Sequence, residues 1–285
     1  MSSIKTEGLH EKGTPGQTLA GNSWPDNGGA GVPEPPPFSL AENRIPTVRC
    51  WGLAILAGLV AGVVSWLGGE AIYGRFIPPL IATSGFPTIE EIQAAKRARN
   101  AGVTMEAGLT AVMMGAALGL MLGLAGGGVR KSGRAAAIAG LAGLFLGGVG
   151  AAVATWSLMP AFLRIYDPDK DVLLVALLVH GSIATVIGAG VGTAFGAGIS
   201  GGIRGERHGL IGRTILGGLL GAAAGMLIFQ IVGMMVFPLD HTTLPVSKSS
   251  NSRLASHVLL TLLASAGAAR GALQLPSTNK GHISS

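Results

Sequence analysis

Six long stretches of this chain carry no Asp, Glu, Lys or Arg: residues 50–69, 107–129, 135–163, 172–203, 214–239 and 254–269. In hydrocarbon every backbone amide must find its partner inside the protein, so an uncharged apolar run of about 20 residues reads as a membrane-crossing helix. Five runs reach that length, and the last, broken by His257, is borderline. The expected fold is all-α, a polytopic membrane bundle of about six transmembrane helices with spans near 50–69, 105–128, 135–160, 172–200, 214–238 and 254–271. Charged residues form only 12% of the sequence, half the roughly 25% usual in soluble domains, which supports the same class.

The bundle is expected to occupy residues 49–273. Before it, residues 1–48 contain EKGTPGQ, PDNGG and GVPEPPPF and no long apolar run. Such a segment cannot bury enough apolar surface to order itself, and residues 33–37 favour polyproline II. It lacks the short apolar core of a secretory signal, and the first apolar run is too long and too late to be one. Residues 274–285 are expected to form a second disordered tail.

Positive charge is concentrated in particular connections. Arg130, Lys131 and Arg134 share one, and Arg204, Arg207 and Arg213 share another. Short loops rich in Lys and Arg stay cytoplasmic, so these six residues are read as topology anchors. Arg44 and Arg49 before the first span agree, placing both termini in the cytoplasm, with the plasma (inner) membrane as the expected location. Lys96, Arg97 and Arg99, close to the second span on the opposite side, run against this assignment. They follow Thr88 and Glu91, a Thr-x-x-Glu capping box, and the stretch 88–99 is expected to form a short helix on the membrane surface.

The 47 glycines would weaken water-soluble helices by about 1 kcal/mol each relative to Ala. In lipid they let helix backbones approach closely. Gly115, Gly119, Gly123 and Gly127 recur every fourth residue, as do Gly188, Gly192 and Gly196, and Gly217, Gly221 and Gly225. A four-residue step keeps each set on one helix face, so these ten are the expected packing glycines. Gly190, Ala194, Gly198 and Gly202 form a second series, which predicts close contact on two faces of the fourth span.

An internal repeat is also expected. Pro78, Pro160 and Pro238 each close an odd-numbered run, each with a glycine 20 positions earlier, and GGVR at 127 echoes GGIR at 201. This suggests three tandem helix pairs, an arrangement that often carries a pseudo-symmetry axis along the membrane normal. The plan resembles that of mitochondrial carriers. However, AFLRIY after Pro160 and LDHTTL after Pro238 lack the acidic-then-basic motif of those carriers, so that family is not assigned.

Ionisable residues inside spans point to function. Glu106, His180 and His257 stand near the starts of the even-numbered spans, and under the repeat they would converge as a polar cluster, relay or gate. Gln230, Glu70 and Arg75 add little at this level, because Gln230 is uncharged and the other two can lie beyond the first span. Asp167, Asp169 and Asp171 have the opening spacing of an EF-hand loop, but Val172 and Leu178 stand where Gly and Glu are required, so Asp171 is read as a helix cap. The Gly-x-Gly-x-x-Gly match at 196–201 ends an apolar run instead of following a strand, which excludes dinucleotide binding. A single cysteine, Cys50, allows no intrachain disulfide or cysteine cluster.

No hydrolytic triad, phosphate loop or His-x-x-x-His pair is present, so neither catalysis, a cofactor nor a metal is implied. Basic residues are not interleaved with aromatics, so nucleic acid is not an expected partner. The bilayer is one partner, and a further membrane protein or a second copy of this chain is another. The leading expectation is a non-catalytic scaffold or accessory subunit of a membrane complex. The alternative is a small-solute, ion or proton-coupled transporter or channel.

Overall fold

The computed structural model describes residues 46–78, 88–166, 173–201, 207–238, 240 and 243–274. Most of both expected tails (residues 1–45 and 275–285), the aspartates of 167–171, Arg204 and Gly202 lie outside them, as does the side chain of Arg207, whereas residues 47–48, expected in the N-terminal tail, begin the first helix. The described residues form six helices, α1 (Thr47–Ile72), α2 (Ile89–Val129), α3 (Gly133–Ile165), α4 (Leu173–Ser200), α5 (Arg207–Val236) and α6 (Ser250–Leu273). The described residues contain no strand. Five helices, α1 to α5, are long and apolar enough to cross a membrane. The sixth is less apolar, carrying Arg253, His257 and Arg270 within its 24 residues.

Local chemistry sets several helix ends. Thr88 and Glu91 form the reciprocal capping box, with Thr88 N–H donating to Glu91 Oε2 at 2.8 Å and Glu91 N–H to Thr88 Oγ1 at 3.3 Å. The α2–α3 connection is a tight reversal. Lys131 takes a left-handed conformation (φ 58°), with Ser132 N–H donating to Gly127 O and Lys131 N–H to Gly128 O. These two bonds satisfy carbonyls that the end of α2 would otherwise leave unpaired. Ser132 then caps α3 through Ala135 N–H.

Two expectations are corrected. The stretch 88–99 is not a separate surface helix, because α2 runs unbroken for 41 residues. No proline interrupts residues 100–104, and Gly102 only makes room for the carbonyl of Phe76. At 1.5 Å per residue α2 is about 60 Å long, twice the ~30 Å hydrocarbon thickness. Its residues 89–99 are all exposed, and cover begins at Asn100. Nor does Pro160 close its helix, since α3 continues to Ile165. Proline removes one amide donor, a loss that packed neighbouring helices can absorb.

Each helix packs on its neighbours in chain order, and α6 returns to α1, closing a ring. The even-numbered helices α2, α4 and α6 also touch one another, whereas no contact joins α1, α3 and α5 among the described residues. The even helices therefore form the interior. Side-chain size follows an unusual rule: alanines and glycines dominate the buried faces, while Leu56, Leu67, Leu141, Phe145, Val153, Leu216 and Leu220 are exposed. Water would expel such an outer surface, but lipid accommodates it. With five spanning helices and this outward apolar coat, the chain is an integral membrane protein.

The seams depend on missing β-carbons. One added at Gly115, Gly119 or Gly123 of α2 would strike the carbonyl of Gly147, Gly143 or Ala139 of α3. Gly188 and Gly192 likewise face the carbonyls of Gly218 and Thr214 on α5, and Gly217 and Gly221 those of Gly267 and Leu263 on α6. On the other side of α4, a β-carbon at Gly198 would lie 2.7 Å from Gly127 N, and one at Gly190 would lie 3.2 Å from Leu146 backbone. Thus α4 is approached closely from two directions. The Gly119→Leu substitution is expected to destabilise the bundle by about 3 kcal/mol or more through overpacking, against little change for Leu141→Ala on the outer face. Thermal unfolding in mild detergent, followed by size-exclusion chromatography, measures the difference.

Candidate functional site

Near the ends of α1, α3 and α5, where the even helices begin, the bundle leaves a cavity of about 110 Å³. Its wall is contributed by α2 (Thr110, Met114), α3 (Thr155, Met159), α4 (His180, Ile183), α5 (Met226, Phe229) and α6 (Arg253, Ser256, His257), with residues 244–247 of the α5–α6 connection across it. Since a water molecule occupies about 30 Å³ in the liquid, the space suits a few waters or one small solute.

Both candidate histidines reach this cavity. His257 Nδ1 is 2.8 Å from Ser65 Oγ of α1, and Ser65 Oγ donates to Gly62 O at 3.0 Å. A hydroxyl has one proton, so the Gly62 bond leaves Ser65 to accept from Nδ1–H. In that neutral tautomer Nε2 carries the free lone pair. Gln230 Nε2 of α5 donates to His180 Nδ1 at 3.0 Å, which leaves the imidazole proton on Nε2, and the ring is 5.7 Å from that of Phe162. His180 is only 7% exposed, yet its Nε2 has no protein partner, and neither does Oγ1 of Thr155. Buried polar atoms are nearly always satisfied, so the unpartnered atoms mark a place for a bound guest or water.

Glu106 takes a different position. It is 2% exposed and adjoins the cavity-lining Ala107, but it is not itself among the lining residues. Its Oε1 accepts from Gly74 N–H at 3.2 Å, which ties α2 to the turn after α1, while Oε2 is unpartnered. The structure therefore brings His180 and His257 to one cavity and sets Glu106 beside it as a brace of the α1–α2 turn. Among the described residues no group of three His, Cys, Asp or Glu side chains gathers.

Sequence reasoning overlooked the principal charged residue. Arg253 of α6 forms a bidentate pair with Glu70 of α1, Nε to Oε1 at 2.7 Å and Nη2 to Oε2 at 2.8 Å. Its Nη1 donates to Ser247 O at 2.8 Å and Lys248 O at 2.7 Å, and its guanidinium lies 3.6 Å from the Tyr73 ring centre. The fork of fixed donors that suits Arg to such sites here holds the 244–248 connection against the cavity and α1 against α6. Glu70 and Arg253 stand 183 residues apart, with no local pattern linking them. The available signal was their common position at the same end of the bundle under the alternating topology.

At the opposite end the arginines do more than carry charge. Arg49 Nη2 donates to Gly128 O at 2.7 Å, Arg130 Nη1 to Ile199 O at 3.0 Å, and Arg213 Nη1 to Gln274 O. Each even-numbered helix thus ends on a guanidinium from a neighbouring segment, which supplies donors and positive charge to carbonyls at the negative end of the helix dipole. Lys131 and Arg134 are exposed.

The Arg253→Gln substitution is expected to release residues 244–248 and open the cavity. In a Cys50→Ala background, a Ser247→Cys probe should react slowly with a water-soluble maleimide when Arg253 is present. In the Arg253→Gln variant it should react roughly tenfold faster, as the loss of about 1.4 kcal/mol of restraint implies. Equal rates would rule out the clamp.

Comparison of the chain with protein-family models, with curated proteins and with solved structures finds no match in any of the three.

Proposed function

We propose that this protein is a small membrane transporter or channel, conducting an ion or small polar solute through the cavity between His180 and His257. One observation carries this reading: two imidazoles from different inner helices share a single cavity, each with Nδ1 engaged by another helix, and Nε2 of His180 is buried there without a protein partner. A buried polar atom left without any partner costs about 1–3 kcal/mol, so a guest or water that satisfies His180 and Thr155 in the cavity gives these residues a use. In this account the three helix pairs are repeats, with even helices around the path and odd helices toward lipid, and the glycine seams act as zippers that hold the frame rigid. The arginine-capped end faces the cytoplasm of the plasma (inner) membrane, and the Arg253 end faces outward.

A scaffold or accessory-subunit role is the second reading. It is favoured by the broad exposed apolar faces of α1, α3 and α5, which can seat a membrane partner or a second copy as readily as lipid.

Reconstitution into liposomes separates the two. Stopped-flow measurements of proton, alkali-cation and small-solute flux are expected to show permeation, reduced roughly tenfold by His180→Ala, the equivalent of one lost hydrogen bond. Background-level flux for every solute, with the protein folded, would favour the scaffold. Orientation is tested in the same Cys50→Ala background: Gly133→Cys should be labelled only from the cytoplasmic side and Arg75→Cys only from the other.

A further inference from the structure

We infer that the cavity is a binding site for a soft monovalent cation, copper(I) or its redox-inert congener silver(I), held by the imidazoles of His180 and His257 and the thioethers of Met114, Met159 and Met226. The inference rests on the reading of this cavity as the solute path and names the solute class.

The donor set is the argument. Five helices each contribute to the lining of this cavity one residue with a soft or borderline donor: Met114 from α2, Met159 from α3, His180 from α4, Met226 from α5 and His257 from α6. Thioethers and imidazoles select soft ions, whereas carboxylates, carbonyls and water suit magnesium, calcium and manganese. No carboxylate lines the cavity among the described residues, and its one charged lining residue, Arg253, is already neutralised by Glu70. All five donors are uncharged, so a bound ion keeps its full charge in a low-dielectric interior. That burden is far smaller for a monovalent than for a divalent ion.

The surroundings of the imidazoles fit the same purpose. Histidines that bind metals usually have their second ring nitrogen held by a hydrogen bond, which fixes ring orientation and tautomer. Here Ser65 holds Nδ1 of His257 and Gln230 holds Nδ1 of His180, leaving Nε2 of each for a guest. Gln230 Nε2 faces Nδ1 of His180 and Gln230 Oε1 is without a protein partner; metal binding at His180 requires that amide to turn, so that Oε1 accepts from Nδ1–H and Nε2 presents its lone pair, the same tautomer as in His257. Methionine has three rotatable bonds and adapts to irregular space, so the thioethers can close around an ion without displacing helices.

Silver(I) is the probe, with the full chain in detergent and Cys50→Ala as background to remove the lone thiol. One silver ion per chain is expected, with mixed nitrogen and sulfur ligation in X-ray absorption. Met159→Leu and Met226→Leu preserve volume, and each should weaken binding about tenfold while thermal unfolding without silver stays unchanged. His180→Ala should reduce the nitrogen contribution. Absence of stoichiometric binding, or binding indifferent to all three substitutions, overturns the inference. Flux of protons or other solutes in the same liposomes distinguishes the two failures: flux without silver binding rejects the soft-ion site alone, whereas silver binding without any flux, silver(I) included, rejects transport and leaves the site standing.

Discussion

Backbone touching backbone is the constraint from which this architecture follows. Lipid offers no hydrophobic reward for bringing helices together, so cohesion must come from contact itself, and contact is densest where nothing projects between two main chains. Gly115, Gly119 and Gly123 on α2 meet Gly147, Gly143 and Ala139 on α3 on these terms. With small residues claimed by the seams, many leucines, valines and isoleucines are left to the outside, and the coat of the protein becomes greasier than the seams. The polar groups then have one place to gather, the widening where the even helices begin and larger side chains such as Met159 and Phe229 hold the walls apart.

At that widening, charge and neutrality divide the work. Arg253 and Glu70 cancel one another at the edge, with the remaining guanidinium donors spent on two backbone carbonyls. The imidazoles further in remain neutral and keep one nitrogen each in reserve. A pair of opposite charges costs least at a boundary where water is close, and neutral donors cost least inside. The order of these groups along α6, Arg253 and then His257 a turn deeper, follows that gradient.

The sequence was most legible where physics is local. Uncharged runs marked the spans because composition alone decides whether a helix tolerates lipid, and Thr88 with Glu91 marked a helix start because a capping box needs only four residues. The four-residue glycine step showed which faces are small, though the identity of the facing helix required coordinates. Reading 88–99 as a separate helix failed because nothing in NAGVT terminates a helix once started, and reading Pro160 as a stop failed because lateral packing outweighs one missing bond. At the site, His180 and His257 stood out as polar residues in apolar runs. Gln230, Ser65 and Glu70 did not, since their roles exist only through partners 50, 192 and 183 residues away.

The length of α2 has a mechanical consequence. A continuous rod twice as long as the oil layer is thick, gripped by α3 over its inner half and bare at its outer end, is a pointer whose tip magnifies any tilt at the grip. Residues 89–99 therefore report on the buried seam from outside, turning small adjustments among glycines into displacements that a spin label or fluorophore near Glu90 can register in water.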